Sequence, residues 1–152
     1  MRHLVRLATF VLATAVSLPA CASGLDDKIP DQQSIDALEA RALQAPPREQ
    51  AFLYAELMHQ MTEYSLRQYA AGDVAKSASL LRGIQKLAHN LHLSVAEDDK
   101  RLKNAEILLR HTAFRLTEML HSSSLEDQPL VAETLAQVNQ AQTDAMMQVF
   151  RK

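Results

Sequence analysis

The sequence predicts an all-α protein, an up-down-up-down four-helix bundle preceded by one short extra helix at the N-terminal side. Three observations carry that prediction. Apolar residues recur at steps of three and four along four long segments, which puts them on one face of a helix with 3.6 residues per turn. No stretch alternates apolar and polar residues for long enough to make a half-buried strand. Glycine is rare, three in 152 residues, so the breaks between segments are few and stand out. Short breaks between long helices make consecutive helices antiparallel.

Arg2 and Arg6 lead into a twelve-residue apolar run, Leu7 to Leu18, and then Pro19-Ala20-Cys21-Ala22-Ser23. A basic start, an apolar middle and small residues at the cut have the form of a secretory signal peptide over residues 1–22. The run is too short for a permanent bilayer span, which needs about 20 residues. Two processing routes fit. Ala20-Cys21-Ala22 suits simple cleavage after Ala22, whereas Leu18-Pro19-Ala20-Cys21 resembles the lipobox of bacterial lipoproteins, with Pro19 departing from the usual small or β-branched residue. The resemblance implies a lipid on Cys21 and an outer-membrane anchor; simple cleavage implies a periplasmic or secreted protein. On either route Cys21, the only cysteine, is removed or capped, which excludes thiol catalysis and cysteine metal sites.

Residues 23–30 are small, charged and turn-forming and read as a flexible leader. The helical domain covers 31–152. Asp31 is placed to cap a short helix with Ile35, Leu38, Ala42 and Ala45, ending before Pro46, because a residue preceding proline is pushed out of the helical region. With few large apolar groups, this helix is expected to dock weakly or to stay mobile.

The next arm starts at Pro47, whose missing N–H suits the first helical position. Glu49, Glu56, Gln60, Glu63 and Arg67 share one polar face. The buried stripe is then Leu53, Tyr54, Leu57, Met58, Met61, Tyr64 and Ser65. Gly72 is placed to take the left-handed conformation that closes a helix, and Asp73 to cap the next one. That second arm carries Val74, Ala78, Leu81, Ile84, Ala88 and Leu91 inward. Gly83 inside it costs about 1 kcal/mol against alanine. Its neighbours Arg82 and Lys86 suggest a water-facing glycine, and close approach of another backbone is the other reading. Ser65, Gly72-Asp73, Ser77 and Leu81 resemble the small, Gly-Asp, small and large positions of a tetratricopeptide hairpin. The resemblance covers this one unit. Gln68 stands at the aromatic position, His89 at the terminal proline, and no second copy follows at the expected period, so the segment reads as a generic helical hairpin.

Ser94-Val95-Ala96-Glu97 has the capping-box pattern, followed by Asp98 and Asp99 where a helix dipole favours negative charge. A helix is expected from there, with Leu102, Ala105, Leu108, Leu109, Ala113, Leu116 and Leu120 inward and Lys103, Glu106, Arg110, Thr117 and His121 outward. Ser122-Ser123-Ser124 ends it. Asp127 as cap and Pro129 in the first turn start the last helix, in which Val131, Leu135, Val138, Gln142, Ala145 and Val149 form a heptad seam. Gln142 is its one polar member, a residue type that sets register or partner number, or else reaches the bundle edge. Met147 falls on the polar side of this helix, and Met146 and Phe150 flank the seam, so apolar surface spills beyond one stripe.

The chemistry is sparse. Without residues 1–22 the chain holds fourteen basic against eighteen acidic residues, a net charge near minus four, which argues against nucleic acid as a partner. Glu56-x-x-His59 and Glu118-x-x-His121 show the spacing that ferritin-like di-iron proteins place on two helices of a bundle. In parallel helices, however, the two pairs differ in height by about 20 Å, and Val74 to Leu91 offers no carboxylate. Met58, Met61, Met119, His59 and His121 are the residue types of a copper(I) site, yet Met58 and Met61 lie on the core stripe and His59 on a flank with Phe52, Ala55 and Leu66. His89-x-x-His92 shares its face with Arg82 and Lys86, which repel a cation. His111 reads as a boundary residue. There is no phosphate-binding loop, no His-Glu-x-x-His and no context that activates a serine. No catalytic, cofactor-binding or metal residue is assigned. The expectation is an exported, non-enzymatic helical module of the cell envelope that binds another protein or itself; the alternative is a periplasmic metal or haem carrier with histidine and methionine ligands.

Overall fold

The computed structural model describes residues 29–94 and 101–151. Among them lie five α-helices and no strand: α1 (Gln32–Gln44), α2 (Pro47–Ala70), α3 (Val74–Ser94), α4 (Leu102–Ser122) and α5 (Gln128–Phe150). The predicted all-α class is the class observed. The signal peptide, most of the leader and the acidic run Glu97–Asp99 lie outside the described residues. None of the described helices is long and apolar enough to cross a membrane.

At the start of α1 the Asp31 carboxylate accepts from the Ser34 amide at 2.7 Å, and the Asp31 amide donates to Ser34 Oγ at 3.0 Å. Two otherwise orphaned amides are thereby satisfied reciprocally. The helix ends at Ala45, whose extended backbone is what the following proline requires. The short helix docks: Ile35, Leu38 and Ala42 are all buried in the core, and α1 packs along α2.

α2 and α3 form the hairpin that Gly72 predicts. Gly72 has φ +87°, its amide donates to Tyr69 O at 3.0 Å, and the Asp73 amide donates to Gln68 O at 2.9 Å. These two bonds satisfy the last carbonyls of α2 in a Schellman motif. Asp73 Oδ1 then accepts from the Lys76 amide at 3.0 Å and starts α3. Just inside the turn, the buried hydroxyls of Ser65 and Ser77 meet at 2.8 Å, so the two small residues hold the helices close. Gly83 points at α2 rather than at water: a Cβ there would stand 2.6 Å from the Met61 methyl. Helical periodicity could not decide this, because both charged neighbours sit on the flank.

Ser94 is the last residue of α3 and so does not cap α4, which begins at Leu102. Pairs along α2 and α4 advance together, with Arg101 stacked 3.6 Å from the Phe52 ring centre, Thr112 beside His59 and Arg115 bound to Glu63. These two helices are therefore parallel neighbours. α3 and α5 also meet in register, Gln85 with Thr134, and the later turns around His89 with those around Ala141. Among the described residues the backbones of α2 and α5, and those of α3 and α4, do not come within neighbouring distance, so α2–α3 and α4–α5 lie side by side as two hairpins. Consecutive helices α3 and α4 occupy opposite corners, which the order of elements in the chain does not reveal.

The largest fully buried apolar side chains of the core are Leu57, Met58, Ile84, Leu91, Leu109, Leu116, Met119, Val131 and Val138. Three threonines join it, Thr62, Thr112 and Thr134, each donating to the carbonyl four residues back at 2.7–2.9 Å. Local bonding of this kind lets a hydroxyl enter an apolar layer with its hydrogen bond made. Glu106 is a further correction. It is not outward but 7% exposed, between Arg110 on its own helix and Gln142 of α5. Asp127 likewise makes no side-chain cap; its carboxylate accepts instead from Tyr69 Oη at 2.9 Å and Ser124 Oγ at 2.7 Å. Tyr69 also accepts from the Ser124 amide, so the end of α2 is tied to the α4–α5 turn.

Candidate functional site

A group of titratable side chains lies along the seam between α2 and α4. Their parallel course puts His59 and Glu63, one turn apart on α2, level with Thr112 and Arg115 on α4. Arg115 meets Glu63 with both forks of its guanidinium, Nε to Oε1 at 2.6 Å and Nη2 to Oε2 at 3.0 Å, and also binds Glu118 on its own helix. This bidentate fit fixes the rotation of both helices as well as neutralising charge. The Arg115 hydrogen bonds hold the Glu63 carboxyl below its ordinary value, although partial burial opposes them. The same pairing raises Arg115 further out of reach of any ordinary pH.

His59 is half-buried beside this pair. Burial lowers its pKa from the ordinary 6.5, and nearby His111 and Arg115 push the same way, while Glu63 opposes them. Its Nδ1 stands 3.5 Å from Thr112 Oγ1, but that hydroxyl already donates its proton to Leu108 O at 2.8 Å. The only hydrogen bond open to the pair is therefore one in which His59 Nδ1 carries the proton.

A second joint lies between α4 and α5. Burial pushes the Glu106 carboxyl up, but hydrogen bonds from Arg110 and Gln142, with the guanidinium charge, bring it below its ordinary value. Here Gln142, the polar member of the predicted seam, finds its role: Nε2 donates to Glu106 Oε1 at 3.2 Å.

The other candidate ligands that the sequence offered are not brought together. Glu56 pairs with Arg41 of α1 at 3.1 Å, Glu118 with Arg115, and His121 is exposed at the end of α4. With Glu63 level with Arg115, Glu118 sits about ten residues beyond Glu56 in height, or about 15 Å. Met58 and Met119 are core residues, and the Met61 methyl lies over Gly83. No group of three or more histidine, cysteine or acidic side chains among the described residues is placed to hold a metal. His89 is exposed in an open groove with Gln85, Lys86, Gln137 and Gln140, and the side chain of His92 lies outside the described residues.

Chemically, the seam is suited to holding helices rather than to turning over a substrate. Glu63 is kept ionised and doubly bonded, which makes it a weak base, and the one hydroxyl beside His59 has its proton committed to a backbone carbonyl. Sequence spacing could not have found Glu63–Arg115, whose partners are 52 positions apart. A lone glutamine in an apolar seam is the one signal that did point to a joint.

Comparison with protein-family models, with curated proteins and with solved structures finds no match to this chain.

Proposed function

We propose that the protein is an exported, non-enzymatic helical module, its four long helices in up-down-up-down order with α1 alongside, which works by presenting its outer surface to another protein or to a second copy of itself. The observation that carries this reading is a division of labour among its side chains. The polar groups that meet between helices, Glu63 with Arg115 and Glu106 with Gln142, are spent on joining helices. Large apolar groups meanwhile stay outside, with Phe114 62% and Phe150 78% exposed and Met146 and Met147 beside the latter. Exposed aromatic and methionine side chains are the residue types that partner surfaces favour. Export rests on Arg2, Arg6, the apolar run and Ala20-Cys21-Ala22.

Two measurements test the reading. Intact mass of the protein from cell envelopes is expected to begin near Ser23, or to carry acyl mass on Cys21; a chain retaining Met1 overturns export. In sedimentation equilibrium, self-association is expected to weaken in the Met147→Glu, Phe150→Glu double variant with helical content unchanged. A wild-type chain that stays monomeric at high concentration rejects the second-copy form.

A further inference from the structure

Helix α5 carries a second seam on its outer side. The residue after each member of the seam that faces the bundle is exposed: Ala132, Ala136, Asn139, Thr143, Met146 and Phe150. These six also follow alternating steps of four and three, the spacing by which one helix lies along another. None of them is charged, whereas Glu133, Asp144 and Arg151 stand about 100° further round the helix axis. Met146 and Phe150 are among the exposed large apolar side chains of the protein. The Thr143 hydroxyl already donates to Asn139 O at 2.9 Å, so it can be covered with its hydrogen bond made.

The order of sizes along this face selects its occupant. Small residues come first, Ala132 and Ala136, and large ones last, Met146 and Phe150. A parallel copy would set alanine against alanine and phenylalanine against phenylalanine, too empty at one end and too full at the other. An antiparallel copy sets Ala132 against Phe150, Asn139 against Thr143 and Ala136 against Met146, and a two-fold axis repeats each layer. Small then meets large in four of six layers, the interdigitation that close packing requires. Charge agrees with size. Glu133 and Arg151 lie on the same side of α5, both exposed, and the antiparallel pairing brings Glu133 of one copy within about two residues, or about 3 Å, of the height of Arg151 of the other. Met147, the apolar residue on the otherwise polar side, lies one turn before Arg151 and so covers the stem of that same Glu133.

We propose that the outer face of α5 is a docking surface for a second copy of this chain, joined antiparallel about a two-fold axis at the height of Ala141. This rests on the second-copy form of the function proposed above and names the surface, the direction and the register.

The test uses the full chain with Cys21→Ser and one spin label per copy, at Gln140→Cys or at Glu126→Cys, both exposed positions outside the seam. The antiparallel dimer is expected to hold the Gln140 labels within about 20 Å of each other and the Glu126 labels about 40 Å or more apart. In sedimentation equilibrium, Glu133→Arg and Arg151→Glu should each weaken the dimer about tenfold, because each sets like charges together twice, and the double variant should restore it. A wild-type chain that stays monomeric overturns this pairing together with the second-copy form, and leaves another protein as the partner. A dimer whose Gln140 labels are not the closer pair, or whose double reversal stays as weak as the single ones, overturns the antiparallel pairing alone.

Discussion

Gln142 of α5 donates from Nε2 to Glu106 Oε1 of α4 at 3.2 Å, and Arg110 closes the other side of the same carboxylate at 2.8 Å. A buried carboxylate with two donors is tolerable, whereas one deprived of a donor bears a desolvation cost that water cannot relieve. Gln142→Leu is therefore expected to destabilise the protein by about 1 kcal/mol, and Glu106→Leu combined with Gln142→Leu by less than Gln142→Leu alone. Denaturant unfolding of the single and double variants checks the order. Equal or greater loss in the double variant would show that the pair is worth more than its burial costs.

The left-handed Gly72 offers a second expectation. Nothing lies within 4 Å of an added Cβ there, so any penalty comes from the backbone conformation alone. Gly72→Val should destabilise by about 1 kcal/mol or more, and Gly72→Asn by less, because asparagine enters this region more readily. Thermal unfolding of the two variants reads the difference. Identical melting of both would mean that the Schellman turn rearranges.

Gly83 behaves oppositely, since its helical backbone is relaxed and the obstacle is the Met61 methyl at 2.6 Å. Gly83→Ala gains about 1 kcal/mol of helix propensity and loses part of it by displacing a flexible side chain. In a Met61→Ala background the obstacle is gone, and Gly83→Ala should stabilise by close to the full ~1 kcal/mol. A double-mutant cycle measures the coupling. Additive effects would place Gly83 away from Met61 in solution.

Stability at low pH should follow Glu63 and Glu106. Both have folded-state pKa values below the ordinary 4.5, so their contribution is complete above that value and is lost as pH falls through the lower folded values. Glu63→Gln should flatten the acid limb of the stability curve and cost about 1 kcal/mol at neutral pH, a modest figure because Arg115 is more than a third exposed to screening solvent. Urea titrations between about pH 3 and pH 7 check this, and an acid limb unchanged in Glu63→Gln would show that the pair contributes nothing net.

Legibility differed by the range of the interaction. Local chemistry was readable: Asp31, Pro47, Gly72, Asp73 and Ser122–Ser124 start and stop helices where the residues themselves supply or withhold backbone bonds. The apolar stripes were readable in the main, but Val74, expected inward, is 40% exposed, Leu80, Leu87 and Met119 are buried beyond the expected stripes, and Thr62, Thr112 and Thr134 enter the core by bonding their own helix. What stayed hidden was polar contact between helices. Glu56 and Glu63 present the same spacing whether they face water or a neighbouring arginine, and α2 is enclosed on three sides, by α1, α3 and α4. The diagonal placement of α3 and α4 was hidden for the same reason, since periodicity orients each helix toward a core without naming its neighbours.

Whether the polar groups serve joints between helices, and not a bound cofactor, is decided by elemental analysis and an absorption spectrum of the purified mature protein. No metal in stoichiometric amount and no haem band are expected. One metal per chain, or a haem absorption band that survives purification, would contradict the assignment of these side chains to helix joints.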